Sequence, residues 1–199
     1  MKKYKRSLVV GRFQPLHIGH EAIINKALEL SDNVIIFIGS ADKEGTKDNP
    51  FSYETRKQML ELVYSEEIDN NKIKIYPLKD IGVGNVFAWG DYLIEEVKKY
   101  TDKIDLFVSG EEAKIDLWFN DNLKKEIDFY KLSRDEIKIS ATELRKIIFE
   151  NEYVEFKKYT NPKLYKYYSM IRLEIIKTNI EKTNNLSYMF EDVFDEDEE

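Results

Sequence analysis

The stretch NVIIFIGSA, Asn33 to Ala41, constrains the fold of this chain most. Val34 to Ile38 are apolar without a break, and the run stops at Gly39 and Ser40. Successive side chains of a strand point to opposite faces, so such a run describes a strand buried on both faces. A parallel sheet with helices on each side provides that burial. The flanking sequence agrees. SLVV, Ser7 to Val10, is a short β-rich run. HEAIINKALEL places Ile23, Ile24, Ala27 and Leu28 at helical spacing. After the polar loop ADKEGTKDNPF, the segment SYETRKQMLELVYS reads as a helix with Ser52 as its N-cap and Met59, Leu60 and Val63 on one face. KIKIYPL is strand-like, AWGDYLIEEVKKY is helical, and KIDLFVSG is another buried strand ending in Ser109 and Gly110. Strand and helix alternate repeatedly, which implies βαβ units and an α/β fold.

In such sheets ligands bind beyond the carboxyl ends of the strands. The first strand runs into GRFQPLHIGH, Gly11 to His20, which holds both histidines of the chain, His17 and His20. Pro15 excludes helix before it, so a helix starts in this stretch. The histidines then lie three apart near the first turn, with free backbone N–H groups and the positive end of the helix dipole beside them. Gly19 leaves room for a ligand to approach the backbone. The arrangement suits an anion, above all a phosphate. Two other readings attach to the pair. Zinc ligation needs three or four donors, and the chain has no further His and no Cys. A cap or core role is the ordinary one for an isolated histidine.

Charge narrows the partners. The formal net charge is −7, and the last ten residues, FEDVFDEDEE, carry seven acids and no base. The rest of the chain is formally neutral. It has no Lys/Arg stripe of nucleic-acid-binding density, so no nucleic-acid partner is expected. No apolar run approaches the roughly 20 residues of a membrane span, and the absence of Cys excludes a disulfide framework. A cytoplasmic location is the plain expectation, without membrane partners.

A second motif, ISATELRK, Ile139 to Lys146, follows about 120 residues after the first. GRFQPLHIGH resembles the (H/T)xGH signature, and ISATELRK the (S/T)xTxxR signature, of the nucleotidyltransferase superfamily. GRFQPLHIGH, IGSADKEGTKDNPFSYETR and PLKDIGVGNVFAWGDYL together resemble the archaeal-type nicotinamide mononucleotide adenylyltransferases, over about residues 7 to 150. The resemblance implies a Rossmann-like parallel sheet flanked by helices. It implies an enzyme that joins ATP and nicotinamide mononucleotide to give NAD and pyrophosphate with Mg²⁺, and that forms a homo-oligomer.

Carried onto this chain, the resemblance gives catalytic roles to Arg12, His17, His20 and Arg145. Gly11, Arg12, Phe13, His17, Gly19, His20, Ser109, Gly110, Ser140, Thr142 and Arg145 would bind ATP. Asp80, Ile81, Asn85, Trp89 and Arg56 would bind the mononucleotide, Trp89 by stacking on the pyridinium ring and Arg56 through phosphate. No protein residue is assigned to the metal, which the triphosphate and water would hold. The chain departs from the family pattern twice. Asp80 to Trp89 runs a residue or two longer, and Glu111 follows Ser109-Gly110 where an Asn is usual. Two alternatives share these motifs: another transferase of the superfamily, acting on nicotinate mononucleotide, phosphopantetheine or a CTP-linked substrate, and a non-catalytic nucleotide sensor. The expected organisation is a nucleotidyltransferase domain over 1–160, a helical extension over 161–184 and a disordered acidic tail over 185–199.

Overall fold

The computed structural model describes residues 2–82, 84, 86–133, 135 and 139–180. Asn85 and the acidic tail lie outside the described residues. Five strands form one parallel sheet: β1 (Tyr4–Gly11), β2 (Ser31–Ile38), β3 (Ile73–Pro77), β4 (Leu106–Gly110) and β5 (Asp128–Leu132). Their order is β3-β2-β1-β4-β5. The chain moves outward from β1 through β2 to β3, then returns to the other side of β1 as β4. The strand order therefore reverses between β1 and β4, where an open α/β sheet has its ligand crevice.

The expected double burial of the second strand is found, and its alternation sorts the core. Val34, Ile36 and Ile38 face one apolar cluster, whereas Ile35 and Phe37 face another. On the first face lie α1 (Ile18–Leu30) and α2 (Tyr53–Val63), contributing Ile24, Ala27, Met59, Leu60 and Val63. A short helix α3 (Ser65–Asp69) follows α2. On the second face lie α4 (Phe87–Lys98), α5 (Ile115–Trp118) and α6 (Asp121–Glu126), contributing Leu93, Val97, Ile115 and Leu123. After β5 the chain crosses back. Residues Leu144, Ile148 and Phe156 of α7 (Ala141–Phe149) and α8 (Tyr153–Tyr159) rejoin the first cluster.

The C-terminal region is helical, as its sequence suggests, and broken at Thr160. Asn161 accepts a hydrogen bond from the Lys163 N–H and starts a 3-10 helix, Pro162–Tyr167, that runs into α9 (Tyr168–Ile180). Leu164, Tyr168, Ile171 and Ile175 join the same cluster as Val9 and Ile24. The segment after 160 therefore packs on the core of the sheet. β5, α5 and α6 are additions to the sequence reading. Among the described residues, no helix is long and apolar enough to cross a membrane.

Candidate active site

Two helix starts and one strand end meet at the point where the strand order reverses. Gly11 ends β1, and the Phe13 ring folds back over it: a Cβ on Gly11 would stand 2.9 Å from Phe13 Cζ. Phe13 is buried and takes φ of +52°, a conformation costly for a non-glycine residue. The turn throws the Arg12 side chain out to solvent. Gln14 then clamps the loop to the segment before α2. Its Nε2 donates to the Phe51 carbonyl at 3.0 Å, and the Phe51 N–H donates to its Oε1 at 2.9 Å.

His17 is the N-cap of α1. Its Nδ1 accepts from the Gly19 N–H at 3.1 Å and from the His20 N–H at 3.4 Å. The sequence reading set a phosphate role against a capping role. The geometry gives His17 the cap and leaves its other nitrogen free to serve a ligand. An acceptor at Nδ1 places the proton of the neutral ring on Nε2. It also changes one expectation: two of the α1 amides expected to face a ligand already donate to His17. Burial lowers the His17 pKa to about 4. The His20 ring lies 3.8 Å from that of His17 and 4.8 Å from that of Phe13. Burial, with the adjacent His17 and Arg12, holds its pKa well below the ordinary value. Its Nδ1 is buried and unpartnered among the described residues. Both imidazoles are therefore neutral at physiological pH, each with one N–H to give.

The opposite wall is the start of α7. Ser140 caps it through a capping box: Ser140 Oγ accepts from the Glu143 N–H at 3.2 Å, and Glu143 Oε2 accepts from the Ser140 N–H at 2.9 Å. Arg145, one turn on, is 9% exposed. Its Nη1 donates to the Gln14 carbonyl at 2.8 Å and its Nη2 to Thr142 Oγ1 at 3.3 Å. The second motif is thereby tied directly to the first. Burial and the charge of Arg12 lower the Arg145 pKa.

The resulting crevice, about 220 Å³, is lined by Arg12, Phe13, His17, Gly19, His20, Ser140, Thr142 and Arg145, eight of the eleven residues expected at ATP. Gln14, Ile23, Glu112, Ile139 and Ala141 complete its lining. Gly11 lies beneath Phe13 instead of on the crevice. Ser109 and Gly110 are buried at the end of β4, the hydroxyl of Ser109 unpartnered among the described residues. Over Gly110 lies the carboxylate of Glu112, 2.9 Å from where a Cβ would be. Glu111, the departure from the usual Asn, is exposed.

The residues expected at the mononucleotide fall into four groups. Asp80 and Ile81 follow β3 and are exposed. Asp80 pairs with Lys43 at 2.7 Å and accepts from the Gly82 N–H at 2.9 Å. The hydrogen bond from Lys43 is the main cause of its lowered pKa, to which Arg12 also contributes. Trp89 is half-buried against Trp118, with ring centroids 4.6 Å apart. Beside it, a Cβ on Gly90 would fall 1.9 Å from the Trp118 carbonyl oxygen, so only glycine allows α4 and α5 to approach this closely. Asn85 is outside the described residues.

Arg56, for which the resemblance implies a phosphate contact, is turned to main chain. It is fully buried. Nε donates to the Ser52 carbonyl, Nη1 to those of Arg12 (2.9 Å) and Gly39 (2.7 Å), and Nη2 to that of Ser40. Its donors are turned to main chain, and it braces the loops after β1 and β2, including Ser40 at φ of +47°. Burial, with Arg12 nearby, lowers its pKa to about 10. Sequence pattern carries no sign of this role, because the four acceptors are carbonyls. Gln14 and Glu112 were likewise not singled out from sequence.

The cytidylyltransferase-like family model matches residues 8–165. The nicotinamide-nucleotide adenylyltransferase of Thermococcus kodakarensis is 33% identical over 149 residues, 74% of this chain and 74% of its own length. That of Methanococcus aeolicus is 35% identical over 151 residues, 74% of this chain and 79% of its own. Among solved structures, the bifunctional NMN adenylyltransferase/ADP ribose pyrophosphatase of Francisella tularensis, complexed with AMP and an Mn ion, superposes with a TM-score of 0.68 at 29% identity. The match covers 89% of this chain and 53% of that one, so the chain spans about half the length of the bifunctional protein.

Proposed function

Because the chain belongs to the cytidylyltransferase-like family and, within it, to the nicotinamide-nucleotide adenylyltransferases, we propose that it transfers the adenylyl group of ATP to nicotinamide mononucleotide. The phosphate oxygen of the mononucleotide attacks the α-phosphorus of ATP in line. The bond from that phosphorus to the bridging oxygen breaks, pyrophosphate leaves, and NAD is formed. The observation that carries this reading is the convergence of Arg12, His17, His20 and Arg145 on one crevice at the β1/β4 reversal.

The attacking group is already an anion, so the reaction needs no general base and no protein nucleophile. The obstacle is bringing two polyanions together and stabilising the charge that moves onto the leaving pyrophosphate. Arg12 and Arg145 supply positive charge. Neutral His17 and His20 each supply an N–H that gains strength as that charge develops. Arg145 is held by Gln14 and His17 by its cap, so the donors are positioned before substrate arrives. Among the described residues, no group of three or more His, Asp or Glu side chains is placed to hold a metal ion. Mg²⁺ in this reading enters as part of the ATP substrate and neutralises phosphate charge there. Asp80 and Ile81, which follow β3, and Trp89 of α4 would take the mononucleotide. Assembly as a homo-oligomer in the cytoplasm belongs to the same proposal.

The test is pyrophosphate release by purified protein with ATP and a panel of acceptors: nicotinamide mononucleotide, nicotinate mononucleotide and phosphopantetheine, with CTP as alternative donor. Formation of NAD is expected. Turnover only with phosphopantetheine, or only with CTP, would overturn the substrate assignment.

A further inference from the structure

The His20 ring touches those of Phe13 and His17, and its Nδ1 has no hydrogen-bond partner among the described residues. Its placement therefore follows the first turn of α1. The next residue, Glu21, ties that turn to a distant part of the chain. Glu21 Oε2 accepts from Asn161 Nδ2 at 2.9 Å, across 140 positions of sequence. Asn161 works in two directions. Its Oδ1 accepts from the Lys163 N–H at 3.0 Å and starts the 3-10 helix, while its Nδ2 reaches back to α1. The other oxygen of Glu21 is buried and unpartnered among the described residues, and burial pushes the pKa of the carboxylate up. Leaving a buried acceptor unmatched costs free energy, so the tie is kept against a penalty.

One turn on, Asn25 Oδ1 accepts from the hydroxyl of Tyr64, the residue that ends α2, at 3.1 Å. Glu21 and Asn25 are four apart and share one flank of α1. On the core side, Ile24 and Ala27 hold the helix by apolar contact, which has no preferred direction. The hydrogen bonds on the flank do have one, and they fix the rotation of α1 about its axis. That rotation matters at His20. Side chains end about 5–6 Å from a helix axis, so a turn of about 10° moves the ring by about 1 Å. A displacement of about 1 Å can cost about 10²-fold in rate. Resting on the adenylyl-transfer reading above, we infer that Glu21 and Asn161 are positioning residues: their hydrogen bond sets the His20 ring in the crevice and makes the segment after 160 part of the catalytic assembly.

Asn161→Asp tests this. It keeps an acceptor for the Lys163 N–H, so the 3-10 helix stays capped, but it sets a second carboxylate against Glu21. Asn161→Ser, a shorter cap without an amide to give, replaces it if that variant does not fold. Expected is a kcat lower by about 10- to 100-fold, with the directly titrated ATP dissociation constant within about 3-fold of wild type. Adding Glu21→Gln to Asn161→Asp exchanges amide and carboxylate, restores a donor and an acceptor, and should recover most of kcat. In protein already carrying His20→Ala, Asn161→Asp should lower kcat no further, because both changes act through one group. Unchanged kcat in Asn161→Asp overturns the inference. So does an equal loss of kcat and ATP binding, a double variant no better than the single one, or an undiminished loss in the His20→Ala protein. A readout without turnover separates the inference from the reading it rests on. The chain has two histidines, so imidazole NMR signals resolve His20. They should move in Asn161→Asp and return with Glu21→Gln, and signals that stay in place overturn the inference whether or not NAD is formed. Signals that move and return in a protein that forms no NAD contradict only the adenylyl-transfer reading.

Discussion

The crevice at the β1/β4 reversal and the segment after β3 are expected to serve the same reaction, yet they are built in different ways. In the crevice the side chains are held by main chain. His17 caps its own helix, Arg145 donates to the Gln14 carbonyl, and Gln14 is paired with Phe51 in both directions. At the other end, Asp80 and Ile81 are exposed, and Asp80 is held mainly by a surface lysine and by the Gly82 amide. At the end expected to hold phosphate, His17 and Arg145 are fixed in advance. The segment expected to recognise the base presents Asp80 and Ile81 to solvent. The phosphate step demands placement to within a fraction of an ångström, whereas recognising an aromatic ring tolerates adjustment.

This contrast can be broken at the crevice first. His20→Ala should lower kcat by about 10² to 10³, because one transition-state donor is removed. ATP affinity should change less, since Arg12 and Arg145 still bind the ground state. Loss of ring contacts with Phe13 and His17 should cost only about 1 kcal/mol of stability. Steady-state kinetics, ATP titration and a thermal melt check the three parts, and a wild-type kcat would remove His20 from the chemistry.

The brace comes next. Arg56→Ala leaves four carbonyls facing a void, so stability should fall by about 3 kcal/mol or more, roughly 6–12 °C in Tm. Arg56→Lys keeps the charge but not the fork, and should recover only part. Calorimetry decides. A variant that melts like wild type would show that the loops after β1 and β2 need no brace.

The third effect is a pH dependence. Folded His17 titrates near 4, below the ordinary 6.5 of an unfolded chain. Its contribution is therefore complete above pH 6.5 and is lost as pH falls toward 4, because over that window the unfolded chain binds a proton that the folded one refuses. The loss reaches about 2 kcal/mol by pH 5. His20, shifted the same way, adds to it. His17→Asn keeps a capping oxygen and should remove His17's share of the slope. Urea unfolding at pH 7.5 and 5.0 tests this, and identical slopes in both proteins would contradict the assignment.

The smallest effect is expected at the other end. Asp80→Asn loses a surface ion pair worth at most about 1 kcal/mol, so Tm should move by less than about 4 °C. KM for the mononucleotide should rise more than KM for ATP. Equal shifts would show that the two ends are not separate.

The parts of the molecule that the sequence makes legible are those governed by local pattern. The apolar run from Val34 to Ile38 announced a doubly buried strand because alternation and burial are written in adjacent residues. Ser52 caps its helix as its position suggests, since a cap is a contact three residues long. Phe129 and Leu132 of β5 escaped notice because that edge strand, DFYKL, covers only these two of its five positions, without alternation. The helices α5 and α6 are four and six residues long, too short for a periodic signal. Arg56 resisted for a different reason. Its role depends on carbonyls from Arg12, Gly39 and Ser40, which the fold brings together and which carry no residue identity.

His17 has a consequence for how this chain can change by mutation. One ring nitrogen closes the first turn of α1, and the other is left to face the crevice. Asn, Asp, Ser or Thr could inherit the first duty, since each offers an acceptor to the same amides. None carries an aromatic N–H at the far side of a ring. A mutational path through such residues would preserve the fold while losing the donor, and a path through residues that cannot cap would lose the helix start as well. With the proposed function, selection for folding and selection for chemistry act on one codon, and drift at this position is closed from both directions.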